Sequence, residues 1–184
     1  MRIGKVVFIA VAVLIVYSGI AHAITVKKKR DAPGEPAAVW GLIGSFCAIK
    51  NWHPAVADCE TSKEGDVTSR TLTLKDGSKI REKLTGTEET SYSYAIVESP
   101  LPVKNYKATL SVEEDEDSPD RSEIHWEATF DAQGTSEEDA NKKIAEILEA
   151  GVAGMKKVAI EYEIQKGDGS GEVPSSGDGT AKRP

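Results

Sequence analysis

The sequence predicts an α+β domain in which one antiparallel sheet of seven strands is covered on its apolar face by a long C-terminal helix. Three observations predict it. Between Val56 and Asp131 the apolar residues alternate with polar ones, as in strands that face a core on one side and water on the other. From Ala140 to Tyr162 they recur at spacings of three and four, the mark of an amphipathic helix. A sheet with one apolar face must bury it, and that helix is the only element long enough to do so. The 184 residues, 39% apolar and 29% charged, suffice for one domain of ordinary size with appendages.

Residues 1–23 carry Arg2 and Lys5, an apolar run from Val6 to Ile20, and then Ala21-His22-Ala23, with small residues where a signal peptidase reads. This is the pattern of a cleavable signal peptide. The alternative is an uncleaved anchor, but the apolar run falls short of the ~20 residues that span a bilayer. Cleavage moves the net charge from −7 to −9 and places the chain in the periplasm. In that oxidising compartment Cys47 and Cys59 are expected to form a disulfide, two buried free thiols being the alternative.

The segment Ile24–Arg30 is short, apolar only at its start, and reads as a first strand edged with lysine. Val39, Trp40, Ile43, Phe46, Cys47 and Ile49 then fall at helical spacing, predicting two short helices over 37–51 that divide at Gly41 or Gly44. They stop at Trp52-His53-Pro54, because proline biases the residue before it out of the helical region. Six strands follow, separated by Asp76-Gly77, by 86–89, by the two-proline stretch Ser99–Val103 and by the acidic stretch Glu113–Asp120. Thr135 with Glu138 three residues on reads as a capping box that opens the final helix, about 27 residues long. From 166 onward, ten of the last eighteen residues from Gly167 are Gly, Ser or Pro, a composition too poor in apolar side chains to fold. The expected organisation is therefore a signal peptide over 1–23, a domain over 24–165 and a disordered tail over 166–184.

Pairing the strands as successive hairpins aligns Arg70, Leu84, Tyr92, Leu110 and Trp126 in one inward row. It places Leu72, Glu82, Tyr94, Ala108 and Ala128 in the next. In this register Arg70 is diagonal to Glu82 and Tyr94 lies opposite it. A carboxylate at an inward position is costly in a dry core. Two alanines on the sheet, and Ala150, Gly151, Ala153 and Gly154 on the helix, leave room between the layers. The expected site is an internal cavity walled by Trp52, His53, Arg70, Glu82, Tyr92, Tyr94, Tyr106, Trp126, Gly151 and Met155. A close-packed core with a purely structural Arg70–Glu82 pair is the alternative.

Other chemistries are disfavoured. No segment interleaves basic with aromatic residues, so the acidic chain lacks the surface that neutralises nucleic-acid phosphates. Two cysteines and three histidines without ligand spacing predict no metal, and no cofactor motif is found. No nucleophile elbow or phosphate-binding glycine loop appears, so an enzyme would have to work with Glu82, Tyr94 and His53. His53 reads either as an acid or base at the cavity mouth or as a turn histidine that caps backbone groups. His125 alternates with Ile124 and Trp126 and should face solvent.

The segment Val39–Glu60 (VWGLIGSFCAIKNWHPAVADCE), followed by RTLTLKDGSKIREKL, SYSYAIVESPLPVKNYKATL and IHWEATF, resembles the START-like (SRPBCC) helix-grip superfamily. Within it the resemblance is to the exported polyketide cyclase and lipid-transport-like branch, which includes the methanol-oxidation accessory protein MxaD. It covers about residues 24–163, chiefly through Trp52-His53-Pro54 and Ser99-Pro100-Leu101-Pro102. The resemblance implies a seven-stranded sheet gripping the C-terminal helix. For function it implies a carrier or sensor of a small apolar ligand or, alternatively, an accessory protein docking a periplasmic redox protein such as methanol dehydrogenase or a c-type cytochrome. A cyclase-like enzyme is the third reading. One scaffold hosts all three, so the fold alone does not choose among them.

Overall fold

The computed structural model describes residues 23–168; the expected signal peptide, Ala23 excepted, and all but the first residues of the tail lie outside them. Strand β1 (Ile24–Pro33) leads through α1 (Pro36–Ile43) and α2 (Ile49–Trp52) to six strands in succession. These are β2 (Val56–Glu64), β3 (Val67–Leu74), β4 (Lys79–Thr87), β5 (Ser91–Glu98), β6 (Val103–Asp115) and β7 (Ser118–Ala132), and α3 (Glu137–Gly167) closes the fold. The sheet order is β1-β7-β6-β5-β4-β3-β2 with every pair antiparallel. Only the β1–β7 pairing joins strands distant in sequence; all others are hairpins.

β1 runs three residues beyond the expected Arg30, because its register with β7 holds as far as Pro33↔Arg121. Val26 and Ala32 are buried, while Lys27 and Lys29 point outward to Glu127 and Glu123. Gly34 then turns the chain at φ +102°, a conformation that favours glycine, and Pro36 opens α1 without losing a needed donor. α1 ends at Gly44, where a Cβ would sit 2.3 Å from the Trp40 ring, so the indole covers the break between the helices. The disulfide Cys47–Cys59, with Cα atoms 5.5 Å apart, ties the α1–α2 loop to β2.

The sheet's faces are as the alternation predicts, but its register is not. Leu74 N–H bonds to Ser78 C=O around Asp76-Gly77, which sets Leu72 opposite Ile80 and Arg70 directly opposite Glu82. Bulges between Arg81 and Glu82 and between Leu84 and Gly86 then put Tyr94 opposite Leu84, and Ile96 opposite Glu82. Both differences are slips of two residues. A slip of two keeps every side chain on its face, so hydrophobic alternation is blind to it and turn length decides. From β5 onward the expected rows hold: Tyr94, Ala108 and Ala128 are aligned, as are Tyr92, Leu110 and Trp126.

α3 spans 31 residues, about 46 Å at 1.5 Å per residue. Its cap is Ser136, one residue after the expected Thr135: Ser136 Oγ accepts the Asp139 N–H at 3.1 Å, and Asp139 takes the reciprocal position expected of Glu138. The helix buries Ala140, Ile144, Leu148, Gly151, Val152, Met155 and Ala159 against the sheet.

Candidate site: an apolar cavity beside a buried ion pair

Between the sheet and the first half of α3 lies a cavity of about 70 Å³. Its walls are mostly aliphatic, from β2, β3, β4 and α3, and its polar side chains are His53, Glu82, Tyr94, Tyr106 and Trp126. Leu74, Ile96, Leu101 and Ile147 form its half-buried side, so the mouth lies between the β3–β4 hairpin, the Ser99–Pro102 loop and α3. The volume is about half that of an engineered cavity of about 150 Å³ that admits benzene. A one-ring guest therefore requires these four side chains to move outward.

Glu82 is 4% exposed and brings a carboxylate to the cavity wall. Behind it Arg70 is fully buried, its Nε donating to Glu82 Oε2 at 2.5 Å. Nη1 donates to the Phe46 carbonyl and, at 3.4 Å, to the Tyr92 hydroxyl. The guanidinium carbon lies 4.2 Å from the Phe46 ring centroid and 5.0 Å from that of Tyr94, within the range where an aromatic face attracts a cation. Nη2 has no partner. Burial pushes the Glu82 carboxyl up from its ordinary value, and the adjacent guanidinium opposes that shift. Burial acts against the Arg70 charge as well, but Glu82 and the tyrosine hydroxyls hold the guanidinium protonated. Phe46, whose backbone and ring both hold Arg70, is absent from the sequence-derived site; its helical spacing marked it only as core.

His53 has both ring nitrogens engaged. Nδ1 accepts the Ala55 N–H at 3.2 Å, which leaves the proton on Nε2 to be donated to the Ile147 carbonyl at 3.2 Å. Burial lowers its pKa, so the ring is neutral at pH 7. Of the two readings of His53, the geometry is that of a backbone-capping turn histidine that also borders the cavity. Tyr94 receives the Trp126 indole N–H at 3.1 Å, and burial pushes the hydroxyls of Tyr94 and Tyr106 upward. The site thus offers a fixed carboxylate and two protonated phenols. Among the described residues no cluster of His, Cys, Asp and Glu is arranged to hold a metal ion.

Five of the ten expected wall residues, His53, Glu82, Tyr94, Tyr106 and Trp126, meet at the cavity. Arg70 and Tyr92 stand one layer behind Glu82. Trp52, Gly151 and Met155 lie elsewhere, and Gly151 and Gly154 do not leave room between the layers. A Cβ on Gly151 would come 2.2 Å from the Trp126 ring and 3.2 Å from His53 Cδ2. A Cβ on Gly154 would come 1.9 Å from the Trp52 carbonyl oxygen. The glycines let Trp52-His53 dock onto the helix, and Met155 is fully buried further along it. The aliphatic mouth escaped sequence reading, although Leu101 lies in the two-proline loop and Ile147 in the helical stripe.

A seven-stranded antiparallel sheet gripping a long C-terminal helix, with a cavity between them, defines a START-like helix-grip domain. Residues 23–159 match the family of polyketide cyclase / dehydrase and lipid transport proteins, and the chain belongs to that family. XoxI from Bacillus cereus is similar at 28% identity and a TM-score of 0.70, over 76% of this chain and 97% of that one. The Zhui aromatase/cyclase from Streptomyces sp. R1128 shares the fold at 13% identity and a TM-score of 0.64, covering 82% of this chain and 100% of its own. A START superfamily protein from Mycobacterium smegmatis does so at 12% identity and 0.63, over 74% and 97%. No curated protein matches the sequence.

Proposed function

We propose that the protein is a periplasmic carrier or sensor that encloses a small apolar ligand between the sheet and α3. The observation that carries this reading is a cavity with aliphatic walls into which the fold brings one buried, charge-paired carboxylate. A few fixed polar groups in an apolar concavity is the usual composition of a small-molecule site. The disulfide and the N-terminal export pattern support the periplasm. Among the described residues no helix is long and apolar enough to cross a membrane. A binding role is favoured over cyclase-like turnover because both His53 nitrogens are committed to backbone groups and the Glu82 carboxylate is held by Arg70.

Titration with toluene, followed by NMR, tests this reading. Saturable shifts at the Trp126 indole N–H and at the Leu101 and Ile147 methyls are expected; no shift at any of them overturns it. A second reading, MxaD-like docking to a cationic redox protein, is favoured by the exposed acids Glu113, Glu114, Glu116 and Asp117 at the β6–β7 turn. Its signature is binding that weakens steeply with salt.

A further inference from the structure

We propose that the cavity selects an uncharged molecule whose polar end is a hydrogen-bond donor, an alcohol or phenol on a small apolar skeleton. This rests on the ligand-binding reading above and adds the headgroup. Among the described residues Glu82, paired with the Arg70 guanidinium, is the only carboxylate on the cavity wall. An ionised carboxylate accepts through two oxygens and donates nothing. Arg70 Nε occupies Oε2, and among the described residues no hydrogen bond reaches Oε1. The open valence at the wall is therefore an acceptor, which a proton-bearing group would fill.

The surrounding polar atoms do not supply that group. The Trp126 N–H is spent on the Tyr94 hydroxyl, and among the described residues no hydrogen bond joins the Tyr94 or Tyr106 hydroxyl to Glu82. His53 Nε2–H is spent on the Ile147 carbonyl. Arg70 Nη2 is an unpartnered donor, but Arg70 contributes nothing to the cavity wall and its guanidinium is covered by Phe46 and Tyr94. A guest therefore meets the carboxylate side of the ion pair.

Charge fixes the rest. Arg70 and Glu82 already neutralise one another, so a guest carboxylate would add an unbalanced negative charge beside Glu82, and a guest ammonium an unbalanced positive one. Either would be stranded away from water. A neutral O–H fills the acceptor without upsetting the balance, and the aliphatic mouth takes the apolar remainder.

Four one-ring probes of similar size test this at pH 7: toluene, phenol, benzoate and benzylamine. They are titrated against the wild type and against the paired variant Arg70→Met/Glu82→Leu, with the Trp126 indole N–H as the reporter. The paired variant removes the acceptor without leaving a lone buried charge, so it is expected to fold. The expected result is that the phenol-to-toluene affinity ratio is at least ~10-fold higher in the wild type than in the variant, the size of a hydrogen bond to a charged group. Benzoate and benzylamine should bind neither protein measurably. If toluene and phenol bind but their ratio is the same in both proteins, or benzoate binds the wild type as well as phenol does, the headgroup inference is overturned and the ligand-binding reading stands. If no probe binds the wild type, both fall.

Discussion

Two borders of the cavity are built on opposite principles. At one, Arg70 and Glu82 lie face to face across β3 and β4, both buried, with the α1–α2 loop closed over Arg70 by Phe46 and tied down by the Cys47–Cys59 bond. At the other, Trp52 and His53 are seated on glycines of α3, and the contact is steric, with Trp52 and Trp126 edge to face at 5.6 Å between centroids. The first border is held by charges that must be matched. The second is held by shape and needs side chains to be missing. A buried charge marks its own importance in a sequence, whereas a required absence looks like empty space, and this is why the two borders were legible to different degrees.

The largest effect expected from breaking this contrast is at the charged border. Glu82→Leu leaves the Arg70 guanidinium buried without its counter-charge, and removing one member of such a pair costs about 3 to 5 kcal/mol. Adding Arg70→Met to that variant should recover most of the loss, because a matched apolar pair strands no charge. Denaturant melts of the two single variants and the double give a complete cycle. A double variant as unstable as Glu82→Leu alone would mean that the pair is not the source of the cost.

Alternation fixed the sheet's faces, hairpin succession most of its order, and three-and-four spacing the buried stripe of α3, because each follows from local periodicity. Glu82 stood out on the same ground, as a carboxylate on an inward face. Its partner's position did not, since the Asp76-Gly77 turn and the bulges at Glu82 and Gly86 displace the pairing by two residues without turning any side chain over. The positions of Phe46 and Leu101 depend on how loops close over the core, which no periodicity records. Gly151 and Gly154 were visible as small, but whether small means space or contact depends on what lies opposite, and here it is Trp126 and the Trp52 backbone.

The steric border is sharpened by comparing glycines. Gly154→Ala gains up to ~1 kcal/mol of helix propensity, but its new methyl meets the Trp52 carbonyl, a backbone atom that cannot swing aside. Overpacking of this kind costs about 1 to 3 kcal/mol, so a net loss of about 1 kcal/mol is expected. Gly41→Ala in α1, where a Cβ meets nothing within 4 Å, should instead stabilise by up to ~1 kcal/mol. Thermal melts read both, and two glycines on helices should shift Tm in opposite directions. Equal gains at both positions would mean that the Trp52 turn is not seated on the helix as described.

The smallest expected effect is a pH dependence that also belongs to the steric border. His53 is held neutral, with its pKa below the ordinary 6.5 chiefly because of burial, the Ile147 carbonyl opposing and the Arg70 charge assisting. The unfolded chain therefore binds a proton at this residue before the folded one does. The contribution is complete above pH 6.5 and is lost as pH falls through the folded value, at up to about 1.4 kcal/mol per pH unit. Glu82 acts with the opposite sign, since its raised pKa lets the folded state take a proton more readily. Asp58, Asp76 and Glu123 have lowered pKa values and lose stability in acid, but only below their ordinary 3.8 to 4.5. Between pH 7.5 and 5.5 the wild type should thus lose stability, by at most about 1.4 kcal/mol, that His53→Asn does not. Asparagine keeps an acceptor for the Ala55 N–H while removing the titration, so the variant's stability profile should be flatter across that window even if its stability at pH 7.5 is lower. Parallel profiles for the two proteins would show that His53 is not held neutral by its seat between Ala55 and Ile147.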